Sequence, residues 1–360
     1  MTDGNQKALI AMSGGVDSAV AAYLMQKQGY DCIGTTMKLF DNAAAGLSAE
    51  KTCCSLEDME DARAVADRLG IPHTVFNFIP DFKAQIIDRF AEAYVHGATP
   101  NPCIDCNRYM KFQKLLFRAR QMGIDYLVTG HYARIEQDPA SGRYLLKKAV
   151  DETKDQSYVL YFMTQEQLAH TRFPLGGLRK QEVRHIAEQQ GFTNAKKRDS
   201  QDICFVRDGD YAGFIERYTG KNYAAGDFID TEGTVLGRHK GLIRYTVGQR
   251  KGLGLPLPKP MYVCEKNERD NTITLCEHDA LFAESLDAVD FNWIAHEDSE
   301  KPLRVQAKIR YAHSPQWAVA TKTSPDAVRV VFETPQRAIA RGQAVVLYDG
   351  DVVVGGGTIA

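Results

Sequence analysis

The stretch LIAMSGGVDSAVAA, residues 9–22, runs from an apolar segment through a glycine pair into an alanine-rich segment with an acid at its head. The apolar run reads as a buried strand and the alanine-rich segment as a helix, which leaves Ser13–Ser18 as the turn between them. Gly14 and Gly15 let the backbone turn tightly and present its N–H groups, and Ser13 and Ser18 add hydroxyls. The helix beginning near Asp17 aims its positive end at the loop. Such a turn cradles a polyphosphate. It lacks the G-K-[ST] ending of a Walker A loop and the G-x-G-x-x-G of a dinucleotide site. The plainer alternative is a strand-to-helix turn in which Asp17 is an ordinary N-cap.

Outward from the loop, short β-rich runs alternate with helical stretches, the pattern of a parallel sheet covered by helices. Strands are predicted at Lys7 to Met12, Cys32 to Met37, His73 to Phe78 and Tyr126 to Thr129. Helices are predicted from Asp17 to Gln28, stopped by Gly29, and at 81–95 and 107–122. Another begins at Ser55 as cap, with Asp58 at the capping-box position. Leu56, Met59, Ala62, Ala66 and Leu69 share its face, and Gly70 stops it. Helical character continues from Ser157 to about Gln190. Past residue 210 the pattern changes to short strands spaced by Gly, Pro, Asp and Asn. MYVCEKNERDNTITLC, 261–276, reads as a hairpin turning near Asp270 and Asn271, and the last 75 residues as a small all-β barrel or sandwich. The fold class is therefore α/β: a doubly wound parallel-sheet domain over 1–210, then two smaller, mainly β domains over 211–284 and 285–360.

The composition, 44% hydrophobic and 25% charged over 360 residues, is that of an ordinary soluble protein. The N-terminus has no basic region followed by a long apolar run, and no stretch reaches the roughly 18 apolar residues of a membrane span, so a cytoplasmic location is expected. Eight cysteines without a secretory signal argue for thiols that are reduced at rest, catalytic or metal-bound. A net charge of −2 exerts no global pull on nucleic acid, so an RNA site must be a local patch. GRHKGLIRYTVGQRKGLG, 237–254, holds Arg238, Lys240, Arg244, Arg250 and Lys251 and no acid. It suits phosphate contacts, or is simply a solvated basic loop.

ATPNPCIDCNRYMKF, 98–112, places Cys103 and Cys106 in a C-x-x-C. The pair is a redox couple, half of a metal clip, or the home of a nucleophile whose partner lies elsewhere. Cys106 stands just before a predicted helix, whose dipole favours a thiolate. Far along the chain, Cys204 lies in KKRDSQDICFV, 196–206. Cys32, Cys264 and Cys276 fall in predicted strands and read as small buried apolar residues. Cys53 and Cys54 are adjacent, so a disulfide between them would be strained, and the sequence offers no role for them.

The first stretch resembles the pyrophosphate loop of the N-type ATP pyrophosphatases. NPCIDCN and DSQDICF closely resemble the two cysteine motifs of tRNA-specific 2-thiouridylases within that superfamily. SGGVDS, CCSLEDMEDA, NPCIDCN, TGHYA, KDQSY, DSQDICF, YTVGQRKGLG and AKIRY fall in the family's order nearly end to end. The resemblance implies ATP held by Ala11, Met12, Ser13, Gly14, Gly15, Val16, Asp17 and Ser18, with Met37 and Gly130 at the adenosine and Asp17 helping to hold Mg²⁺. It implies that ATP adenylates the C2 oxygen of a wobble uridine. Cys204 would carry a persulfide, and Cys106 would free its sulfur or resolve the intermediate, closing a Cys106–Cys204 disulfide. Implied tRNA contacts are Asn101, Pro102, Cys103, Lys154, Asp155, Gln156, Arg310 and Tyr311, on an anticodon arm of the Lys, Glu and Gln acceptors. A sulfur-carrier protein or cysteine desulfurase would supply the persulfide. His131 resembles a family position and reads equally well as a satisfied structural histidine. Some members carry Asp at the position of Cys103, so two schemes stay open: persulfide alone, or a [4Fe-4S] cluster on Cys103, Cys106 and Cys204 with one open iron. Rival functions are a 4-thiouridine-type thiolase, an amide ligase, and a non-enzymatic RNA-binding Fe-S or redox sensor.

Overall fold

The structure, a computed structural model, describes residues 5–40, 56–197, 203–206, 209–297 and 301–360. Ser55, Cys53, Cys54 and the DSQD of the second cysteine motif lie outside them. The chain divides into two compact units. The first comprises Met1–Ile86, Cys103–Phe205 and Asp351–Val354, and the second Ile87–Pro102, Val206–Gly350 and Gly355–Ala360.

In the first unit, β1 (Lys7–Ala11), β2 (Asp31–Lys38), β3 (His73–Asn77) and β4 (Tyr126–Val128) form a parallel sheet. After a hairpin of β5 (Ala133–Gln137) and β6 (Tyr144–Lys148), β7 (Thr171–Arg172) adds to β4, giving the order β3-β2-β1-β4-β7. The central β1 buries Ala8, Leu9 and Ile10 completely. Because strand side chains alternate, Ala8 and Ile10 share one face, where they join α1 (Val16–Lys27), α2 (Leu56–Leu69) and the helix Lys180–Gln189 in one core. Leu9 points the other way. Helix α1 is small-residue-rich on several sides, with Ala19, Val20, Ala21 and Ala22 all buried, so it can lie close to the sheet.

Two departures bear on the site. The expected helix 107–122 is a run of Pro102–Asp105, a π-helical stretch Cys106–Leu115 and a helix Leu116–Gln121. A π turn has no propensity signature and arises from packing, often at functional positions. The expected continuous helicity from Ser157 to Gln190 is instead broken into Ser157–Leu160, Gln165–Ala169, β7 and Lys180–Gln189. The break has a steric reason: a Cβ at Gly176 would fall on the Ala133 carbonyl, so this loop must pass as glycine against β5.

In the second unit the helix Tyr211–Thr219 starts at Asp210, whose carboxylate accepts from Gly213 N–H at 2.9 Å, and ends at Gly220 in a left-handed cap. It is followed by β8 (Gly226–Ile229), β9 (Val235–His239), β10 (Tyr262–Asn267) and β11 (Thr272–Cys276), in the order β10-β11-β8-β9. The predicted hairpin is β10–β11, and Asn271 at its turn takes φ 50°. The last strands, β12 (Phe282–Trp293), β13 (Leu303–Lys308), β14 (Gln316–Ser324), β15 (Ala327–Arg337), β16 (Ala344–Asp349) and β17 (Val352–Ile359), run β12-β15-β14-β13-β16-β17. Pairing of β12 with β17 closes them into the expected barrel.

Cys264 and Cys276 depart from the reading as separate buried thiols: they are disulfide-bonded across the β10–β11 hairpin. The register shifts between Val263 and Glu265, so Cys264 occupies a bulge, which re-aims its side chain toward Cys276. Cys32 is buried as expected, and burial, with Asp31 beside it, pushes its thiol up to about 11.

Lys266 of β10 donates to the Tyr245 carbonyl at 3.0 Å and sits 6.0 Å from the Tyr94 ring centre. Burial pushes its amine from 10.5 down to about 8. Between those values the unfolded chain holds a proton that the folded chain has shed, so stability rises with pH across the window. Thermal melts of wild type and Lys266→Met across that window should show wild type gaining on the variant. A constant difference would contradict the assignment.

Candidate active site

The site is built on the exit of β1. Gly14 has φ 75°, and a Cβ there would land on the Asp58 carbonyl, so only glycine fits. Gly15 is the N-cap of α1 and the helix starts at Val16, which places Asp17 inside the first turn. The N-cap alternative therefore fails, and the carboxylate is left for other work. Ser18 Oγ donates to the Gly15 carbonyl at 3.0 Å and lies 3.2 Å from Ser13 N, closing the loop on itself. Gly130, after β4, packs against the loop backbone: a Cβ would come within 2.9 Å of Asp17 C and Ser18 N. Met12 is buried and Met37, opposite Phe76, is half-buried at the end of β2. Gly14→Ala is expected to weaken ATP binding about tenfold or more, since it forces a left-handed backbone as well as a clash. Calorimetric titration with ATP tests this, and unchanged affinity would show that the loop does not need its conformation.

Asp17 is engaged by two residues that the sequence did not single out. Lys180 Nζ donates to both of its carboxylate oxygens at 2.7 Å, and Tyr132 Oη donates to one at 2.8 Å. The Lys180 side chain is only 10% exposed. It opens the helix Lys180–Gln189, where a cation opposes the helix dipole, so its position depends on Asp17 and on Asp151, which accepts from its backbone N–H at 2.9 Å. A lysine beginning a helix against the dipole is the only trace of this role in the sequence.

Cys106 is partly exposed at the first π-helical residue, and Cys103 is exposed. Asn107, 3% exposed, donates from Nδ2 to the Val159 carbonyl at 3.3 Å, while its Oδ1 is buried with no donor among the described residues. Val159 N–H donates to the Gln156 carbonyl, and Gln156 clamps Tyr132 from both sides: its N–H donates to the Tyr132 carbonyl at 2.8 Å and its Oε1 accepts from Tyr132 N–H at 2.9 Å. A continuous path thus runs from Asp17 through Tyr132, Gln156 and Val159 to the residue after Cys106. Asp155 likewise holds its own loop, accepting from Ala149 N–H, Ser157 N–H and Ser157 Oγ. Of the KDQ run, the Asp155 and Gln156 side chains are thus engaged inside the protein, and Lys154 is half-buried.

Cys204 is partly exposed, and Phe205 beside it is buried against Phe82, ring centres 5.9 Å apart. Phe82 ends the short helix Ile79–Phe82, which also packs against Cys106–Leu115 and is tied to it by Lys114 donating to Asp81 at 2.5 Å. One turn therefore braces both cysteine-bearing segments. The described residues contain no group of three His, Cys, Asp or Glu arranged to hold a metal ion. His131 is buried and satisfied: Nδ1 is 2.7 Å from Thr129 Oγ1, and Nε2 3.5 Å from Lys111 Nζ. Burial, then Lys111, holds its pKa well below the usual value, which is the behaviour of a neutral structural histidine.

In the second unit, Asn101 is half-buried and Pro102 buried, after Thr99, which is held by Arg341 and Gln343. Arg310 donates to the Arg337 carbonyl at 3.4 Å, and Tyr311 is 44% exposed with Lys308 over its ring. Within the basic segment Arg238 and Arg244 pair with Asp227 and Glu216, whereas Lys240, Arg250 and Lys251 are exposed and carry no ion pair among the described residues. Three cations, not five, are thus available to an anion.

The chain is 52% identical over 355 residues to a tRNA-specific 2-thiouridylase, MnmA, of Clostridioides difficile, covering 99% of this chain and 98% of that protein. It belongs to the tRNA-specific 2-thiouridylase family. The 2-thiouridylases of Acetivibrio thermocellus and Clostridium acetobutylicum are 50% and 49% identical, each covering 98% or more of both chains. Three family models tile the sequence: a tRNA methyl transferase HUP domain over 6–208, a tRNA methyl transferase PRC-barrel domain over 212–277 and an aminomethyltransferase β-barrel domain over 283–359. Among solved structures, a 4-thiouridine synthetase–RNA complex with bound ATP matches 60% of the chain at 20% identity and TM-score 0.35, too distant a likeness to carry an argument. No helix among the described residues is long and apolar enough to cross a membrane.

Proposed function

We propose that this 2-thiouridylase family member is an ATP-dependent, cytoplasmic tRNA-uridine 2-sulfurtransferase. The observation that carries the reading is the bracing of the Cys106 and Cys204 segments on one turn, Ile79–Phe82, in the unit that holds the phosphate loop. The family models speak of methyl transfer, but a pyrophosphate loop serves adenylation and a pair of thiols serves sulfur.

ATP binds with its phosphates on Ser13–Ser18 and the α1 N-terminus. Mg²⁺ is usually held by one or two carboxylates together with phosphate oxygens, so the single carboxylate Asp17 fits it; the ion would neutralise triphosphate charge. Lys180, released from Asp17, meets the phosphates. The C2 oxygen of the wobble uridine attacks the α-phosphate and pyrophosphate leaves. Cys204 carries a persulfide taken from a sulfur-carrier protein or cysteine desulfurase. By one route its terminal sulfur displaces AMP from C2, and the Cys106 thiolate then attacks the Cys204 sulfur, expelling the 2-thiouridine as thiolate. By the other, Cys106 attacks first and the hydrosulfide set free displaces AMP. Each route ends with a Cys106–Cys204 disulfide, which an external dithiol must reduce. The alternative scheme would place a [4Fe-4S] cluster on Cys103, Cys106 and Cys204, with one open iron to hold the sulfur in place of the persulfide. Residues 1–210 do the chemistry; 211–284 and 285–360 grip the anticodon arm of Lys, Glu and Gln tRNAs through Lys240, Arg250, Lys251, Arg310 and Tyr311. Asn101 and Pro102 border the extruded base.

Incubation with ATP, a cysteine desulfurase, cysteine and unmodified tRNA, followed by mass analysis of the nucleosides, should yield 2-thiouridine with matching AMP and pyrophosphate. Accumulation of 4-thiouridine, or pyrophosphate release that ignores tRNA, would overturn the reading.

A further inference from the structure

Two side chains fasten the root of the Cys204 segment to the phosphate loop. Asn194 is 3% exposed and donates from Nδ2 to the Gly14 carbonyl at 3.0 Å. Its side-chain Oδ1 is buried with no donor among the described residues, so the bond to Gly14 is the side chain's one tie among them. Three residues later Lys197 donates to Asp58 Oδ1 and Asp61 Oδ2, each at 2.7 Å, on the first turns of α2. Burial opposes the Lys197 charge, but the two carboxylates outweigh it and raise its pKa. Gly14 in turn lies directly against the Asp58 backbone. Loop, α2 and the Asn194–Lys197 segment therefore form one knot, and Cys204 follows shortly after it in the chain.

The geometry matters because a peptide unit is planar. The Gly14 carbonyl that Asn194 holds and the Gly15 N–H that an anion would draw are opposite ends of the same plane. A phosphate that loads one end pulls on the other, and a donor on the carbonyl strengthens the N–H in return. Lys197 meanwhile keeps Asp58 and Asp61 neutralised beside a site meant for a triphosphate.

We propose that Asn194 and Lys197 are positioning residues that couple triphosphate occupancy of the loop to the placement of Cys204. Sulfur delivery is thereby matched to adenylation. The inference rests on the loop-and-thiol reading above but is tested apart from it. Alkylation of Cys204 by iodoacetamide is followed on the full-length protein by peptide mass analysis, with and without a saturating non-hydrolysable ATP analogue and Mg²⁺. In wild type the nucleotide should change the Cys204 rate by about fivefold or more. In Asn194→Ala and Lys197→Met the change should shrink below about twofold at nucleotide levels raised to saturation, and Lys197→Arg should restore it. Full nucleotide dependence in both loss variants, or a wild-type rate that ignores nucleotide, overturns the proposal. Failure of the functional reading would show separately, as the wrong nucleoside made by wild type.

Discussion

Cys106→Ser and Cys204→Ser each lower 2-thiolation by at least about 10³-fold while leaving ATP affinity within about twofold, the pattern expected when members of a unit that acts together are removed singly. Neither thiol is part of the Ser13–Ser18 loop proposed to hold the nucleotide, and both sit on segments braced by Ile79–Phe82, so their removal should spare nucleotide binding. Single-turnover nucleoside analysis and calorimetry on the same preparations measure both halves. Near-normal thiolation by either variant would remove the two-cysteine mechanism. Cys103→Ser, by contrast, should keep most of the activity, because Cys103 is exposed and the persulfide routes use only Cys106 and Cys204.

The second large effect concerns adenylation. Asp17→Asn and Lys180→Met should each cut tRNA-dependent pyrophosphate release by about 10²–10³-fold, the scale on which a buried charge aimed at a reacting group acts. Removing Lys180 leaves Asp17 to repel the triphosphate, and removing the Asp17 charge strands a lysine that is 10% exposed at a helix start that opposes it. Affinity for tRNA should hold in both variants, since neither residue lies in the second unit, where the proposed RNA cations sit. Full pyrophosphate release by Lys180→Met would reduce that lysine to a structural counter-ion.

The phosphate loop was legible because every part of it is contiguous: glycines, hydroxyls and helix start all occur within Ser13–Ser18. Its supports were not. Lys180, Tyr132 and Asn194 reach it from 163, 115 and 180 residues away from their partners, and a buried lysine or asparagine looks in sequence like any solvated one. The two cysteine motifs could be recognised individually, but the turn that braces them is a product of packing. Asp155 and Gln156 were implied as RNA contacts by the family resemblance alone; that their side chains also close their own loop on Tyr132, Ala149 and Ser157 is a matter of packing that no motif shows. The β10–β11 hairpin was plain from its Asp-Asn turn, whereas the Cys264–Cys276 bond depends on a bulge that alternation cannot reveal. The barrel strands were visible as alternating runs, and their closure through β12 and β17 is a matter of register.

The most direct test of the central claim is a stoichiometry. Persulfide-loaded protein is given ATP and unmodified tRNA for one turnover without reductant, alkylated, and its cysteine-containing peptides are weighed beside the nucleosides. One Cys106–Cys204 disulfide for each 2-thiouridine is the predicted result; 2-thiouridine accumulating while both thiols remain alkylatable would contradict it.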